Sequence, residues 1–519
     1  MRWTNLIRNA IFAALLAGAL AVPAVADDNT AANRLFVAAV QAWNAAEALT
    51  GNDSATAEAR LDLLRNAAGN LYRIITDHSG ADLAVRLIIG ETAGPFSMPT
   101  IEVALTEAEA EYLMVVCGAA PTRDCVFAAA LAVARGVEHE IGRAHALRRI
   151  GTVQAWVGRF DEAMATARGI EDRQERDFAF SAIASAQAQA GYFREALGIA
   201  RGIEDVFLRD VAFRNIAAAK AQVGRDLEAL EIAGGIDTPL QSSLALQAIS
   251  SAQVQAERFA DALATARAIN SLRHRPLALA QIAAAQDSPE ILAEALETAR
   301  FIEEGRWRAS VLSGIVATQA QAGLFAEARE VAREIEEESS RVAALMTIAA
   351  AQNSPELFAE ALDIAQGIED SNDQAFALRA ISLAQAQTGR FAEALDIARS
   401  ITRAFSRVDT IQAIAVAQAR ARDFNAALVT AGEIEFATWH AAALRDVAVA
   451  QAHAGSFAEA LATARTIQEA PSRADAIAQI AALQNSQELF AEALANAREV
   501  EDSRDRAIAL AEIAGHLPE

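Results

Sequence analysis

Hydrophobic positions recur every 33 residues along most of this 519-residue chain. A marker position repeats eleven times without insertion, and Phe occupies it in nine copies. Three and seven residues after the marker the chain always has Ala, and ten residues after it has Ile, or Val in the last copy. Because these offsets lie on one face of a helix, they predict a short helix, helix B, beginning near each marker. The markers are Phe160, Phe193, Asp226, Phe259, Leu292, Phe325, Phe358, Phe391, Phe424, Phe457 and Phe490.

A second apolar series precedes each marker and predicts another helix, helix A. A large apolar residue stands thirteen positions before the marker, and Ile stands ten before it in every copy except one, which has Val447. Six copies have Gly two positions before the marker, as at Gly389, and this Gly predicts a turn between the two helices. Three other copies place Ser288, Ser354 and Ser486 as predicted N-caps of helix B.

Each unit is therefore a predicted pair of antiparallel helices that cannot bury its apolar stripes alone. Stacked neighbours supply the missing surface, as is typical of repeat proteins. A 33-residue period of helix pairs predicts an all-α fold, an α-solenoid of about eleven units. The composition favours the same fold, because the chain is rich in Ala and only 6% aromatic.

These units resemble the tetratricopeptide (TPR) repeats over about residues 142–519. The residues that fall on the family's consensus slots in one copy are Leu378, Ile381, Ser382, Gly389, Phe391, Ala394, Ala398 and Ile401. The chain departs from the family in its 33-residue units, in Gln where an aromatic is usual late in helix A, and in lacking Pro after helix B. The resemblance implies a right-handed superhelix in which helices A line a concave groove, and it implies little about the ligand.

The regions flanking the array do not follow the period. Residues 27–126 are predicted to form irregular helical hairpins that cap the array. The array itself is assigned to residues 127–519, beginning with a degenerate copy at Phe127. It ends on a lone helix A, roughly Arg506 to Gly515, after which no helix B follows. That end is predicted to be a docking or self-association surface, with a frayed terminus as the alternative.

Residues 1–26 have the pattern of a secretory signal peptide. Arg2 and Arg8 precede or flank an apolar run, and the segment ends in a small-x-small sequence, Ala24-Val25-Ala26. The alternative is an uncleaved membrane anchor, but the apolar run is short for a bilayer span. We therefore expect a mature chain that starts at Asp27 and is periplasmic or secreted, with no membrane insertion.

The two cysteines, Cys117 and Cys125, are separated by a segment that can reverse the chain. Export would place them in an oxidising compartment. We predict a disulfide that contributes about 2–3 kcal/mol to stability, with two separate buried thiols as the alternative. The spacing fits neither a redox CxxC motif nor a zinc site.

The charge and the motifs exclude several classes of function. A net charge of -23 disfavours nucleic acid and anionic membrane surfaces as partners. His139 and Glu140 begin a pattern like HExxH, but Arg143 stands where the second His is required. The chain has neither a glycine-rich phosphate loop nor a nucleophile elbow. We expect no catalytic residues, no metal and no cofactor.

Two polar rows recur with the period and are interpreted as scaffold. An Arg sixteen positions after the marker, as at Arg407, is predicted to pair with the acidic residues that end the preceding helix B. The Gln six positions before the marker, as at Gln385, is predicted to form a hydrogen-bonded row between repeats. Lys220 is the exception in that row.

The candidate binding site lies where the copies differ. Twelve positions before the marker, where the TPR resemblance implies groove-facing residues, most copies are small or neutral. The residues chosen are Arg214, Gln247, Arg379, Gln412 and Arg445 on that slot, with Leu383, Val416 and Val449 four positions after three of them. A basic strip with an apolar side could hold a carboxylate or an acidic peptide segment. Ordinary surface variation is the alternative.

These features favour an exported, non-enzymatic scaffold that binds another protein or a peptide in its groove. The second hypothesis is a structural or assembly component of the cell envelope that associates end to end. The third is an enzyme whose site lies in residues 27–126.

Overall fold

The computed structural model describes residues 25–51, 53–93 and 97–518, and this part of the chain folds into 28 helices without a β-strand. The chain is therefore all-α, as predicted. The predicted signal peptide lies almost wholly outside the described residues. Within them, no helix has the length and hydrophobicity needed to cross a membrane.

Five helices precede the regular array. They are α1 (Val25–Glu47), α2 (Ser54–Asp77), α3 (Asp82–Ile88), α4 (Met98–Ala119) and α5 (Arg123–Arg135). Helix α1 packs on α2, α2 on α4, and α4 on α5. Leu61, Leu64, Leu71 and Ile74 of α2 and Ile101 of α4 are fully buried and form the centre of this core.

Helices A and B alternate from residue 140 onwards. The helices A are α6 (Glu140–Trp156), α8 (Arg173–Gln189), α10 (Val206–Gln222), α12 (Pro239–Gln255), α14 (Arg275–Gln286), α16 (Gly305–Gln321), α18 (Glu338–Gln352), α20 (Ser371–Gln387), α22 (Ala404–Arg420), α24 (Ala437–His453), α26 (Ala470–Gln484) and α28 (Ser503–His516). The helices B are α7 (Phe160–Arg168), α9 (Phe193–Arg201), α11 (Asp226–Gly234), α13 (Phe259–Arg267), α15 (Pro289–Arg300), α17 (Phe325–Arg333), α19 (Pro355–Gly367), α21 (Phe391–Ser400), α23 (Phe424–Ala431), α25 (Phe457–Thr466) and α27 (Gln487–Arg498).

The turn between helices A and B takes one of two forms. In six copies the Gly two before the marker has a left-handed φ, which is 80° at Gly389. In the three other copies predicted to differ, helix B starts three residues earlier and Ser accepts a hydrogen bond from the backbone, as Ser354 does from Leu357 at 3.4 Å. These serines are N-caps, as predicted. Glu257 and Arg422 occupy the Gly slot with φ of 58° and 67°.

The repeats are held together by small residues. Successive helices A contact each other from α8 to α26, and each helix B from α9 to α25 contacts its own helix A and the next one. Ala394, Ala398 and Ile401, at the offsets of 3, 7 and 10 from Phe391, are fully buried. Ala at these slots lets the helices approach closely, which explains why the positions are the same in every copy.

Among the described contacts, Arg209 and Arg308 form ion pairs with Asp237 and Glu336, which follow the next helix B and not the preceding one as predicted. Arg407 instead donates from Nη1 to the carbonyl oxygen of Ile401 at 2.9 Å. Equivalent bonds join Arg176 to Ile170, Arg275 to Ile269, Arg308 to Ile302, Arg341 to Ile335, Arg473 to Ile467 and Arg506 to Val500. The last carbonyl groups of a helix have no hydrogen-bond donor within the helix, so the guanidinium donates to one of them.

Seven of the ten recurring glutamines are buried, whereas Gln286, Gln352 and Gln484 are exposed, and the bonds described for them do not make up the predicted row between repeats. Gln154 accepts from Thr166 at 2.8 Å in its own unit. Gln253 donates to Asp226 at 3.0 Å. The side-chain oxygens of Gln385 and Gln418 have no hydrogen-bond partner among the described residues. Gln154 thus bonds within its own unit, whereas Gln253 bonds to the preceding unit.

The chain divides into two compact units that do not coincide with the predicted boundary at residue 126. The first unit comprises Met1–Ile150 together with Asn485–Glu519, and the second comprises Gly151–Gln484. The regular repeats of the second unit thus continue, at their C-terminal end, into the unit that contains the N-terminal helices. The period does not reveal this division because it describes only neighbouring repeats.

In the first unit, helices α4 and α5 pack against the last two described helices, α27 and α28. Helix α28 lies against α5, and α27 contacts α4. Leu510, Ile513 and Ala514 of α28 are buried. We expected this end to be a docking surface or a frayed terminus, whereas its apolar face is covered within the chain. A disulfide bond between Cys117 and Cys125 links α4 to α5 in the same region.

Candidate functional site

The candidate residues lie on one side of the helices A, which we call the open face. In α20, α22 and α24 this face contains the slots 15, 12 and 8 positions before the marker, which are partly or fully exposed, whereas Ile381, Ile414 and Val447 on the opposite side are buried. A helix repeats its facing every three to four residues, so these slots form one stripe. Arg214 and Gln247 occupy the same slot in α10 and α12, and both are half-buried.

The structure places the six candidates of α20, α22 and α24 at equivalent, half-buried positions of three consecutive units. The stripe consists of Arg379 and Leu383, Gln412 and Val416, and Arg445 and Val449. Each apolar residue follows its polar neighbour by one helical turn. The apolar side that we expected beside the polar slot is therefore present in the geometry.

The arginines of this stripe do not form a free basic strip. Arg379 Nε lies 2.7 Å from Oδ2 of Asp409 in the next unit. Arg445 Nη2 lies 2.8 Å from Oδ1 of Asp446, and its Nη1 lies 3.8 Å from Oδ2 of Asp475. Each positive charge is balanced by a carboxylate, so the stripe has little net attraction for an acidic ligand. This corrects the expectation of a cationic grip.

Burial shifts the pKa of Arg445 and of Arg214, and ion pairing also shifts that of Arg445. Burial lowers the pKa of Arg445, but the hydrogen bond and charge of Asp446 raise it more, so the pKa lies above its usual value. Burial alone lowers the pKa of Arg214, whose guanidinium bonds the neutral amides of Asn215 and Gln241. Arg445 thus belongs to a stable ion pair, whereas Arg214 belongs to a polar network.

In several copies the variable slot forms a polar contact with the next repeat. Gln247 lies 3.1 Å from the ring nitrogen Nδ1 of His274. Ser181 donates to the carbonyl oxygen of Leu208 at 3.2 Å. The partners stand 27 or 30 residues further along, as Asp409 does for Arg379. Polar side chains 27 or 30 residues after Arg214, Gln247 and Arg379 are the sequence signal for these contacts that our prediction missed.

Exposed aromatic residues border the stripe, and sequence reasoning missed them. Phe376 is 50% exposed, Phe405 69% and Phe436 40%. The rings of Phe405 and Phe436 stack with centroids 5.6 Å apart. Phe376 lies one turn before Arg379 on the open face, and Phe405 lies one turn before Asp409. The sequence contains a signal for these phenylalanines, because most other copies have small or polar residues at the same slots.

A second polar cluster surrounds Lys220, the only lysine of the chain. Its side chain is 4% exposed, and Nζ lies 2.6 Å from Oε2 of Glu228 and 4.7 Å from the ring centre of Phe193. The hydrogen bond from Lys220 lowers the pKa of Glu228 below its usual value. Asp226 replaces the marker Phe and pairs with Arg258 at 2.5 Å.

The Lys220 cluster borders an open pocket, with Leu197, Phe213 and Ile232 among its walls. Lys220 is held by a carboxylate and an aromatic face, so it is neither a free cation nor an activated nucleophile. Lys220 and Asp226 depart from the repeat pattern in one unit, and their pairing with Glu228 and Arg258 balances the two charges. Within the described part of the chain, no group of acidic, His and Cys side chains is arranged to hold a metal ion.

Comparisons with known proteins leave the family open. No protein-family model matches the chain, and no curated protein matches it. Among solved structures, the crystal structure of Ton1535 from Thermococcus onnurineus NA1 is similar over 62% of this chain and 95% of that chain, with 16% identity and a TM-score of 0.24. A TM-score this low supports no conclusion about shared architecture or function.

Proposed function

We propose that this protein is a non-enzymatic scaffold that binds another protein or a peptide on the open face of its helical repeats. The observation that carries the proposal is the group of exposed phenylalanines, Phe376, Phe405 and Phe436, beside the half-buried Leu383 and Val416. Aromatic anchors surrounded by polar contacts are typical of interaction sites.

The contacts favour a largely apolar partner segment over an acidic one. Arg379 and Arg445 already pair with aspartates, so a ligand carboxylate would have to compete with Asp409 and Asp446. An apolar side chain would meet no such competition between Phe376 and Leu383. The ion pairs remain at the rim, where they orient the partner and add little affinity.

The TPR-like organisation is part of the same proposal. We take the array to be an α-solenoid of about eleven units, a right-handed superhelix in which the open face lines the concave groove, as the resemblance implies. The contacts between successive helices A support stacking of the units. A groove of this kind presents side chains from several units to one extended partner.

Export is likewise proposed. The pattern of residues 1–26 and the disulfide between Cys117 and Cys125 both favour an oxidising compartment, the periplasm or the exterior. The partner is then expected in the same compartment, with neither nucleic acid nor membrane insertion involved.

The proposal is tested by capture from envelope extract with the chain from Asp27 as bait. Phe376→Ala with Phe405→Ala should lose the captured protein, because both anchors are removed from the open face. Phe301→Ala is the matched control, since Phe301 is 66% exposed but follows helix B. Capture that survives the double substitution, or that disappears equally in the control, would refute binding at this face.

End-to-end assembly is the competing function and has a simple readout. The apolar face of α28 is covered by α5, so one surface that stacking would use is occupied within the chain. Light scattering over a concentration series should therefore give a constant mass. Growth of the mass with concentration would favour assembly over the binding scaffold.

A further inference from the structure

The last repeat is completed by a helix from the other end of the chain. Helix α28 has the register of a helix A, with Leu510 and Ile513 buried. Helix α5 has the helix B series, beginning at Phe127 and continuing with Ala130 and Ala134, all buried. The two helices pack together, so α5 covers α28 as the helices B from α9 to α25 cover the helices A of their own units.

Polar contacts fasten this joint close to the disulfide. Arg123 Nε donates to the carbonyl oxygen of Leu517 at 3.0 Å, and Arg123 stands two residues before Cys125. Arg498 donates to the carbonyl oxygen of Met114, which stands three residues before Cys117. Both bonds therefore depend on the position of the segment that the disulfide holds.

A third contact lies away from the cysteines. Arg149 Nη2 lies 2.5 Å from Oε1 of Glu512, and each side chain is about one-third exposed. This ion pair links α6 to α28 and is accessible to substitution without disturbing the apolar interface.

The disulfide fixes the relative position of the two helices that hold the C-terminal part. Cys117 lies in the last turn of α4 and is fully buried, whereas Cys125 lies in the first turn of α5 and is partly exposed. Thr122 caps α5 by accepting from the backbone N–H of Cys125. Apart from the bridge, only residues 120–122 and the packing of α4 on α5 hold these helices together where they contact α27 and α28.

We propose that α5 and α28 form a redox-controlled latch, closed while Cys117 and Cys125 are bonded and loosened when a dithiol reduces them. A thiolate of the dithiol attacks Sγ of Cys125, the S–S bond breaks, and Cys117 leaves as a thiolate that takes up a proton. The second thiol of the reductant then displaces Cys125, which leaves as a thiol, and the reductant becomes a cyclic disulfide. The two electrons thus pass from the dithiol to the two cysteines.

Hydrogen exchange of the full chain, with and without dithiothreitol, tests the latch. Reduction should raise amide exchange in Ser503–His516 by at least about tenfold, because opening the latch exposes that helix. Exchange in Ser54–Asp77 and Ser371–Gln387 should not change. Unchanged exchange in Ser503–His516, or an equal rise in all three segments, would overturn the proposal. The variant with Cys117→Ser and Cys125→Ser should behave as the reduced protein does.

A charge-reversal cycle tests the closure independently of the disulfide. Arg149→Glu and Glu512→Arg each place like charges together, so each should raise exchange in Ser503–His516 by about two- to fivefold in the oxidised protein. The double variant restores an opposite-charge pair and should restore protection. Failure of either single substitution to raise exchange, or of the double variant to restore it, would contradict a latch closed through α28.

Discussion

At the scale of single residues, the slot before helix B shows how backbone conformation selects an amino acid. Gly389 adopts a φ of 80° with nothing within 4 Å of where its Cβ would lie, so the need for Gly is conformational and not steric. Arg422 occupies the same slot with a φ of 67° and is exposed. An L-residue is strained in this region, whereas Gly adopts it freely.

Two substitutions at this slot should change the free energy of unfolding in opposite directions. Arg422→Gly should raise the free energy of unfolding by about 0.5–1 kcal/mol, because it relieves left-handed strain. Gly389→Ala should lower it by about 1 kcal/mol for the same reason. Denaturant unfolding of both variants beside the parent measures the two changes. Equal signs for the two substitutions would show that φ does not govern the slot.

The recurring arginine provides a second prediction at this scale. Arg407→Met should lower the free energy of unfolding by about 1 kcal/mol, because the carbonyl of Ile401 loses its charged donor. Arg403→Met is the matched control, since Arg403 is exposed and its side chain does not cap α22. Thermal unfolding should separate the two variants. Equal melting temperatures would mean that Arg407 acts only as a surface charge.

At the scale of helices, the start of α18 depends on a carboxylate. Glu337 accepts hydrogen bonds from the backbone N–H groups of Ser339 at 3.1 Å and Ser340 at 2.7 Å. Burial raises the pKa of Glu337, but its hydrogen bonds with Ser339 and Ser340 lower it more, so the pKa lies below its usual value. The ionised carboxylate is therefore the form that caps the helix.

The pH dependence of this cap follows from the sign of the shift. A carboxyl whose folded pKa is depressed adds stability above its unfolded pKa of about 4.3, and that stability is lost as the pH falls through the folded pKa. The stability advantage of the parent over Glu337→Gln should thus be full at neutral pH and decline below about pH 4.3. Unfolding measured at several pH values tests this. Glu338→Gln, at an exposed neighbour, should show a smaller pH dependence.

The helical elements could be predicted because their signals are local. The marker period gave the alternation of helices A and B, and Ser288, Ser354 and Ser486 gave the three early starts of helix B. The role of the recurring arginines could not be predicted the same way. A carbonyl at the end of helix B and a carboxylate nearby are equally plausible partners in the sequence, and only the geometry chooses between them.

At the scale of the whole molecule, a repeat pattern describes neighbours and says nothing of distant contacts. The packing of α28 on α5 joins residues almost 400 positions apart; the period marks α28 as a helix A and α5 as a helix B but does not show that they meet. The six candidate residues of α20, α22 and α24 share one face, and Arg379 and Arg445 are paired with aspartates. Arg379 looks free in the sequence because Asp409 stands 30 residues away, on the next helix A.

Site-specific photo-crosslinking tests most directly whether the open face binds a partner. A photoreactive amino acid would replace Phe376 in the exported full chain, and Phe301 in a matched control. Binding at the open face predicts one crosslinked partner from position 376 and none of that species from position 301. No crosslink at 376, or the same species from both positions, would contradict binding at the open face.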